Sequence, residues 1–141
     1  EPRADDAGWG TLDDRGAVTA DGRIWIHGRA DDTVNAAGRL IPASDIERCL
    51  EAAPFVLQAV ALADTDERRS ESVTAVITAT AVPADARARL LARCRDLEPC
   101  CRPRRLLVLD APLPQTAGGK PDRARLASGL ATGEWPTREL T

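Results

Sequence analysis

Aromatic residues are scarce in this chain of 141 residues: Phe55, Trp9, Trp25 and Trp135 are all it has. Hydrophobic residues make up 43%, mostly Ala, Leu and Val, so the core is expected to be aliphatic and the length suits one domain. No apolar run approaches the roughly 18 residues that a membrane span requires. The first residues, EPRADDAG, lack the basic and apolar regions of a signal peptide, and a soluble, cytoplasmic protein is expected. Basic charge is not concentrated. Arginines are scattered among acids and the formal net charge is -3, which leaves no stripe for a phosphate backbone and excludes nucleic acid as an expected partner. The cysteines, Cys49, Cys94, Cys100 and Cys101, include no CxxC pair, and His27 is the only histidine. Neither a zinc site nor a disulfide framework is therefore expected, and no metal ligand is assigned. Internal repeats and low-complexity blocks are also absent.

One scarcity points to chemistry. All but one of the 19 Lys and Arg residues are arginine, and the exception is Lys120, inside the stretch TAGGKPDR. An ammonium is a compact charge on a thin stem, whereas a guanidinium is a broad fork that does not fit a crowded reacting centre. Keeping lysine in so arginine-rich a chain suggests such a centre; a surface lysine left by chance is the alternative.

Residues 23–27 (RIWIH) alternate in character and predict a strand ended by Gly28, with Asp21 and Gly22 forming a tight turn from a strand near Ala17. Asp31 and Asp32 are adjacent acids that would repel if both were buried, which places at least one in solvent or on a cation. Asn35 and Gly38 flank a small turn where backbone could lie close to a ligand. Ser44, with Glu47 three residues on, predicts a capping box opening a helix that carries Ile46, Leu50 and Ala53 on one face. Strands follow over 55–62, 73–80 and 104–110. An arginine-rich helix is expected over 85–97, with Leu90, Leu91, Cys94 and Leu97 inward, and a short helix over 122–130. The tail through Thr141 shows no clear pattern. The expected fold class is α+β: a small three-stranded sheet flanked by helices, preceded by a short β-hairpin and a hinge.

Residues 28–47, GRADDTVNAAGRLIPASDIE, resemble the hinge motif of the adenylate-forming enzymes, the superfamily of acyl- and aryl-CoA synthetases, peptide-synthetase adenylation domains and luciferases. Far along the chain, residues 113–123, LPQTAGGKPDR, resemble that family's C-terminal lysine loop. Residues 8–29 resemble its ribose-binding segment, so the likeness runs from about Gly8 to Leu126. It implies residues 1–30 as the end of a large N-terminal domain, 31–130 as a mobile C-terminal domain, and 131–141 as a tail. It implies Lys120 as the catalytic cation of adenylation on a loop with Gly118 and Gly119, and Asp31 as the hinge pivot. Aligning Gly22 and Gly28 puts Asp14 at the family's ribose-binding aspartate, and Arg29 matches its nucleotide-contacting arginine. Leu12-Asp13-Asp14 stands where the family has Thr-Gly-Asp; Asp13 could substitute, or both acids are turn residues. Asn35 and Gly38 would border the CoA channel, although Asn35 stands where many members have lysine, and Leu40 and Pro42 replace an arginine and a small or polar residue.

The implied enzyme is an AMP-forming acyl-CoA synthetase. It uses ATP, Mg²⁺ and CoA, none bound stably by this chain alone, and its partners are the N-terminal adenylation domain and a carboxylic acid. The isolated chain is expected to be inactive. The alternatives are an adenylation domain loading a carrier protein, and a non-catalytic interaction module that kept the fold.

Overall fold

The computed structural model describes residues 3–4, 10–11, 14–18, 20, 22, 24–29, 32–36, 38–64 and 72–141. The chain falls into two compact units, Glu1–Thr33 and Val34–Thr141.

The first unit is made of antiparallel ribbons. Strand β1 (Arg3–Ala4) pairs with β2 (Gly10–Thr11), and β3 (Asp14–Val18) with β4 (Ile24–Arg29). Between β3 and β4, Gly22 takes a φ of 81°, a left-handed conformation that glycine adopts without a side-chain clash. Strand β4 does not stop at Gly28 as expected. Gly28 pairs with Arg15 and Arg29 with Asp14, so the ladder carries the strand one residue further, across an irregularity between Arg15 and Gly16.

The second unit opens with a hairpin of β5 (Thr33–Ala36) and β6 (Arg39–Pro42), followed directly by helix α1 (Ala43–Glu51). Then come β7 (Val56–Asp64), β8 (Ser72–Ala79), helix α2 (Ala86–Arg93), a 3₁₀ turn at Pro99–Cys101, β9 (Pro103–Leu109), helix α3 (Arg123–Thr132) and β10 (Thr137–Glu139). The sheet order is β10-β9-β8-β7; only β8 and β9 are parallel, joined through α2.

Both faces of the sheet are covered, which is why its strands read as near-continuous apolar runs. Ala59, Ala61, Ala75, Ile77, Leu106 and Val108 face a core with Ile46 and Leu50 of α1 and Leu90 of α2. The alternate residues Val60, Leu62, Val76, Leu107 and Leu109 pack with Leu126 of α3 and Trp135. Ile46, Leu50 and Ala53 are all buried, as the helix pattern requires.

The class is α+β as expected, but the sheet has a fourth strand in the stretch expected to be an unpatterned tail. Helix α3 ends at Gly133, φ 71°, and Glu134 N–H returns to Gly129 C=O at 2.8 Å while Gly133 N–H reaches Leu130 C=O at 3.3 Å. This glycine-closed helix end reverses the chain. It lays Trp135 across Gly129, where a Cβ would come within 2.0 Å of the indole nitrogen. The chain then pairs Thr137, Arg138 and Glu139 with Leu109, Val108 and Leu107, and Leu140 is buried.

Candidate functional site

The lysine loop is built from its base. Leu113 and Pro114 are buried, and beyond them Asp122 N–H donates to Pro114 C=O at 2.8 Å, with a β-bridge between Gln115 and Pro121. Thr116 N–H donates to Lys120 C=O at 2.8 Å and Gly119 N–H to Thr116 C=O at 2.9 Å. Gly119, φ 78°, completes the pattern of a turn followed by a left-handed residue. Gly118 has no positive φ, and a Cβ there would meet only Thr116 Oγ1 at 3.9 Å, so the glycine requirement falls on Gly119 alone. Lys120 stands exposed on this small closed loop.

The far side of the loop is held by α3. Asp122 is its N-cap and accepts from Arg125 N–H at 3.0 Å. Arg123 makes a two-pronged ion pair with Glu47 of α1, Nη1 to Oε1 at 2.7 Å and Nη2 to Oε2 at 3.2 Å, with side chains 21% and 13% exposed. The expected capping box does not form. Helix α1 starts from Pro42 with no side-chain cap, Ser44 lies inside it, and Glu47 is turned to Arg123 and to Ala61 N–H at 2.9 Å.

Glu51, one turn further along, accepts from Ala59 N–H at 3.0 Å. Four helical residues rise about 6 Å, close to the roughly 6.6 Å between alternate residues of a strand. The two glutamates thereby match two successive outward N–H groups of β7, the edge strand, and close that edge. Glu47 does a second task, tying α1 to the loop that carries Lys120. Residue spacing alone did not reveal this pair, although an acid and a base lie at the ends of the two motifs.

The remaining expected site residues fall as follows. The register pairs Asp14 with Arg29, directly opposite at the ends of β3 and β4. Asp31 lies outside the described residues. Asn35 is half-buried in β5, and Gly38, φ 79°, is exposed in the β5–β6 turn. Val34 and Ala36 anchor that hairpin in the core, Leu40 is 54% exposed, and Arg39 pairs with Glu98 before the 3₁₀ turn. Among the described residues the one group of three or more side chains placed to hold a metal is Glu98, Cys100 and Cys101. Its two sulfurs suit a thiophilic ion and not Mg²⁺, which prefers oxygen ligands. No described helix is long and apolar enough to cross a membrane.

A mixed sheet between two helical layers thus carries an exposed lysine on a glycine-closed loop that is pinned to α1. No family model matches the chain. Curated relatives do. Acetyl-coenzyme A synthetase of Mycobacterium tuberculosis is 34% identical over 119 residues, 82% of this chain and 18% of that protein. The 4-chlorobenzoate–CoA ligase of Pseudomonas sp. is 38% identical over 107 residues, 74% of this chain and 20% of that protein. Among solved structures, the anthranilate CoA ligase AuaEII in complex with anthranoyl-AMP superposes with a TM-score of 0.74 at 27% identity, over 91% of this chain and 26% of that one. The o-succinylbenzoate CoA synthetase of Bacillus subtilis in complex with AMP gives 0.70 at 25%, over 87% and 25%. The chain belongs to the adenylate-forming superfamily, acyl-CoA synthetase type, and matches the C-terminal portion of these ligases, about a fifth of their length.

Proposed function

We propose that this chain acts as the mobile C-terminal domain of an AMP-forming acyl-CoA synthetase, with Lys120 as the cation of the adenylation step. The observation that carries the reading is the chain's single lysine, held exposed on a loop closed by backbone bonds and fastened through Arg123 to Glu47. When a carboxylate attacks the α-phosphate of ATP, an anion meets a polyanion and charge builds on the phosphoryl oxygens. A positioned ammonium stabilises that charge most in the transition state. A loop that is already closed loses little further freedom when the ammonium engages.

In this reading Asp14 accepts from the ribose hydroxyls and Arg29 contacts nucleotide oxygens; their opposition in the β3–β4 register supports a shared role. Asp31 is the pivot about which the domain turns between half-reactions. Asn35 and Gly38 then border the thiol channel, where the exposed turn gives a thin wall. CoA is the acceptor, Mg²⁺ is held by residues outside this chain, and the chain is inactive without its large N-terminal domain.

The test is carboxylate-dependent ATP–pyrophosphate exchange, with the 141-residue chain alone and with the large domain joined to it. Exchange is expected only in the joined protein, and Lys120→Ala should lower it by about 100- to 1000-fold. Undiminished exchange in Lys120→Ala would remove the catalytic assignment.

A further inference from the structure

Glu98, Cys100 and Cys101 gather on one side of the 3₁₀ turn before β9. Cys101 N–H donates to Glu98 C=O at 2.9 Å, closing the turn. Glu98 is the N-cap of this turn, and the turn brings its carboxylate and the two sulfurs to one place. Arg102 straps the turn down, donating from Nε to Leu97 C=O at 3.0 Å and from Nη2 to Arg95 C=O at 2.6 Å. The Cys100 and Cys101 sulfurs lie 3.6 Å apart, Cys100 Sγ is 4.0 Å from a Glu98 oxygen, and all the ligand atoms lie within 4.8 Å of one another. Two thiolates about 2.3 Å from a tetrahedral zinc ion stand about 3.8 Å apart, and a thiolate and a carboxylate oxygen about 3.5 Å apart. The cluster is spaced close to a coordination shell before any ion enters.

We propose that Glu98, Cys100 and Cys101 form a three-ligand site for a thiophilic divalent cation of the zinc class, next to the β5–β6 hairpin. Binding replaces the two thiol protons with two metal–sulfur bonds and releases both protons to solvent, with no electron transferred. The carboxylate of Glu98 exchanges Arg39 for the metal ion. That ion pair has both side chains more than half exposed, at 62% and 52%, so giving it up costs little. The tie between hairpin and 3₁₀ turn is then broken whenever the ion is bound. A search for CxxC spacing passes over this group, because the tight turn gathers residues two and three apart.

The test titrates the reduced 141-residue chain with Cd²⁺, following thiolate-to-metal charge-transfer absorbance, then measures Zn²⁺ affinity against a competing chelator. Saturation at one ion per chain is expected. Cys100→Ser and Cys101→Ser should each weaken binding beyond the about 10- to 100-fold that loss of an outer partner costs, and Glu98→Gln by at least about 10-fold. Cys49→Ser should change nothing. Arg39→Ala should tighten binding by up to about five-fold, since the exposed ion pair it removes competes for Glu98. Cys101 is buried, so Cys100→Ser, at a half-buried position, carries the test if the other variant fails to fold. No saturable absorbance in the folded chain, or unchanged affinity in Cys100→Ser, would overturn the proposal.

Discussion

The lysine loop and the β5–β6 hairpin are the same device held in two ways. Each is a short exposed turn with a left-handed glycine, Gly119 in one and Gly38 in the other, rising from a buried base. The lysine loop is closed by backbone bonds at 2.8 to 2.9 Å and backed by a partly buried, two-pronged ion pair. The hairpin's side-chain tie, Arg39 to Glu98, is exposed. A charge that must meet a transition state has to be held in place, whereas a wall that gives way to an incoming substrate can be held loosely. Under the proposed function, this difference in fastening, more than either turn by itself, suits the two turns to different steps.

The sharpest way to break this comparison is at the charge itself. Lys120→Arg in the joined two-domain protein should cost about 100-fold in pyrophosphate exchange, because the loop would present a broad fork where a compact ammonium is required. If arginine serves equally well, the loop delivers only charge, and its tight closure loses its explanation.

Next in size is the pin behind the loop. Glu47→Ala removes the two-pronged, partly buried ion pair with Arg123 and leaves Ala61 N–H without its acceptor, so urea unfolding should show a loss of about 3 kcal/mol. Glu47→Gln can still accept from Ala61 and should lose less. The joined protein should also exchange pyrophosphate more slowly with either variant, at temperatures where both remain folded. Equal stability of the wild type and Glu47→Ala would mean that the pin does not hold the loop.

Much of this was legible from residues. Gly38, Gly119, Lys120 and the helix face of Ile46, Leu50 and Ala53 sit in the elements that their local patterns imply, because turns and amphipathic faces are short-range properties. What escaped depends on distant partners. Ser44 and Glu47 have capping-box spacing, yet Glu47 gains more from Arg123 and Ala61 than from its own helix end. The tail looks patternless because β10 is short and polar; Thr137, Arg138 and Glu139 are exposed, and only the reversal at Gly133 brings them to β9.

Alkaline pH should separate the two helical layers. Burial pushes the Cys94 thiol, at the end of α2, up to about 11, with Cys49 adding to the shift and Arg102 opposing it. A thiol raised in the folded state keeps a proton that the unfolded chain releases. Its stabilising contribution is therefore complete below pH 9 and is lost as pH climbs toward 11. The loss should amount to about 3 kcal/mol from this group, read as a falling urea midpoint that is shallower in Cys94→Ala, where the Cys101 thiol, also pushed up to about 11 by burial, keeps part of the slope. Amide exchange should rise first in α1 and α2, on the hairpin's side of the sheet, and later in α3.

The smallest effect expected is the one that defines the looser turn. Arg39 and Glu98 are both exposed, and such pairs contribute at most about 1 kcal/mol because water competes for each partner and two side chains must be ordered. Arg39→Ala should therefore shift the urea midpoint only slightly in metal-free buffer, and raising the salt concentration should shrink even that difference. The same change should speed amide exchange at Gly38 and Leu40 while leaving Gly119 and Lys120 untouched. If Arg39→Ala instead costs as much as Glu47→Ala, the hairpin is held as firmly as the lysine loop. The two turns would then differ in chemistry but not in stiffness.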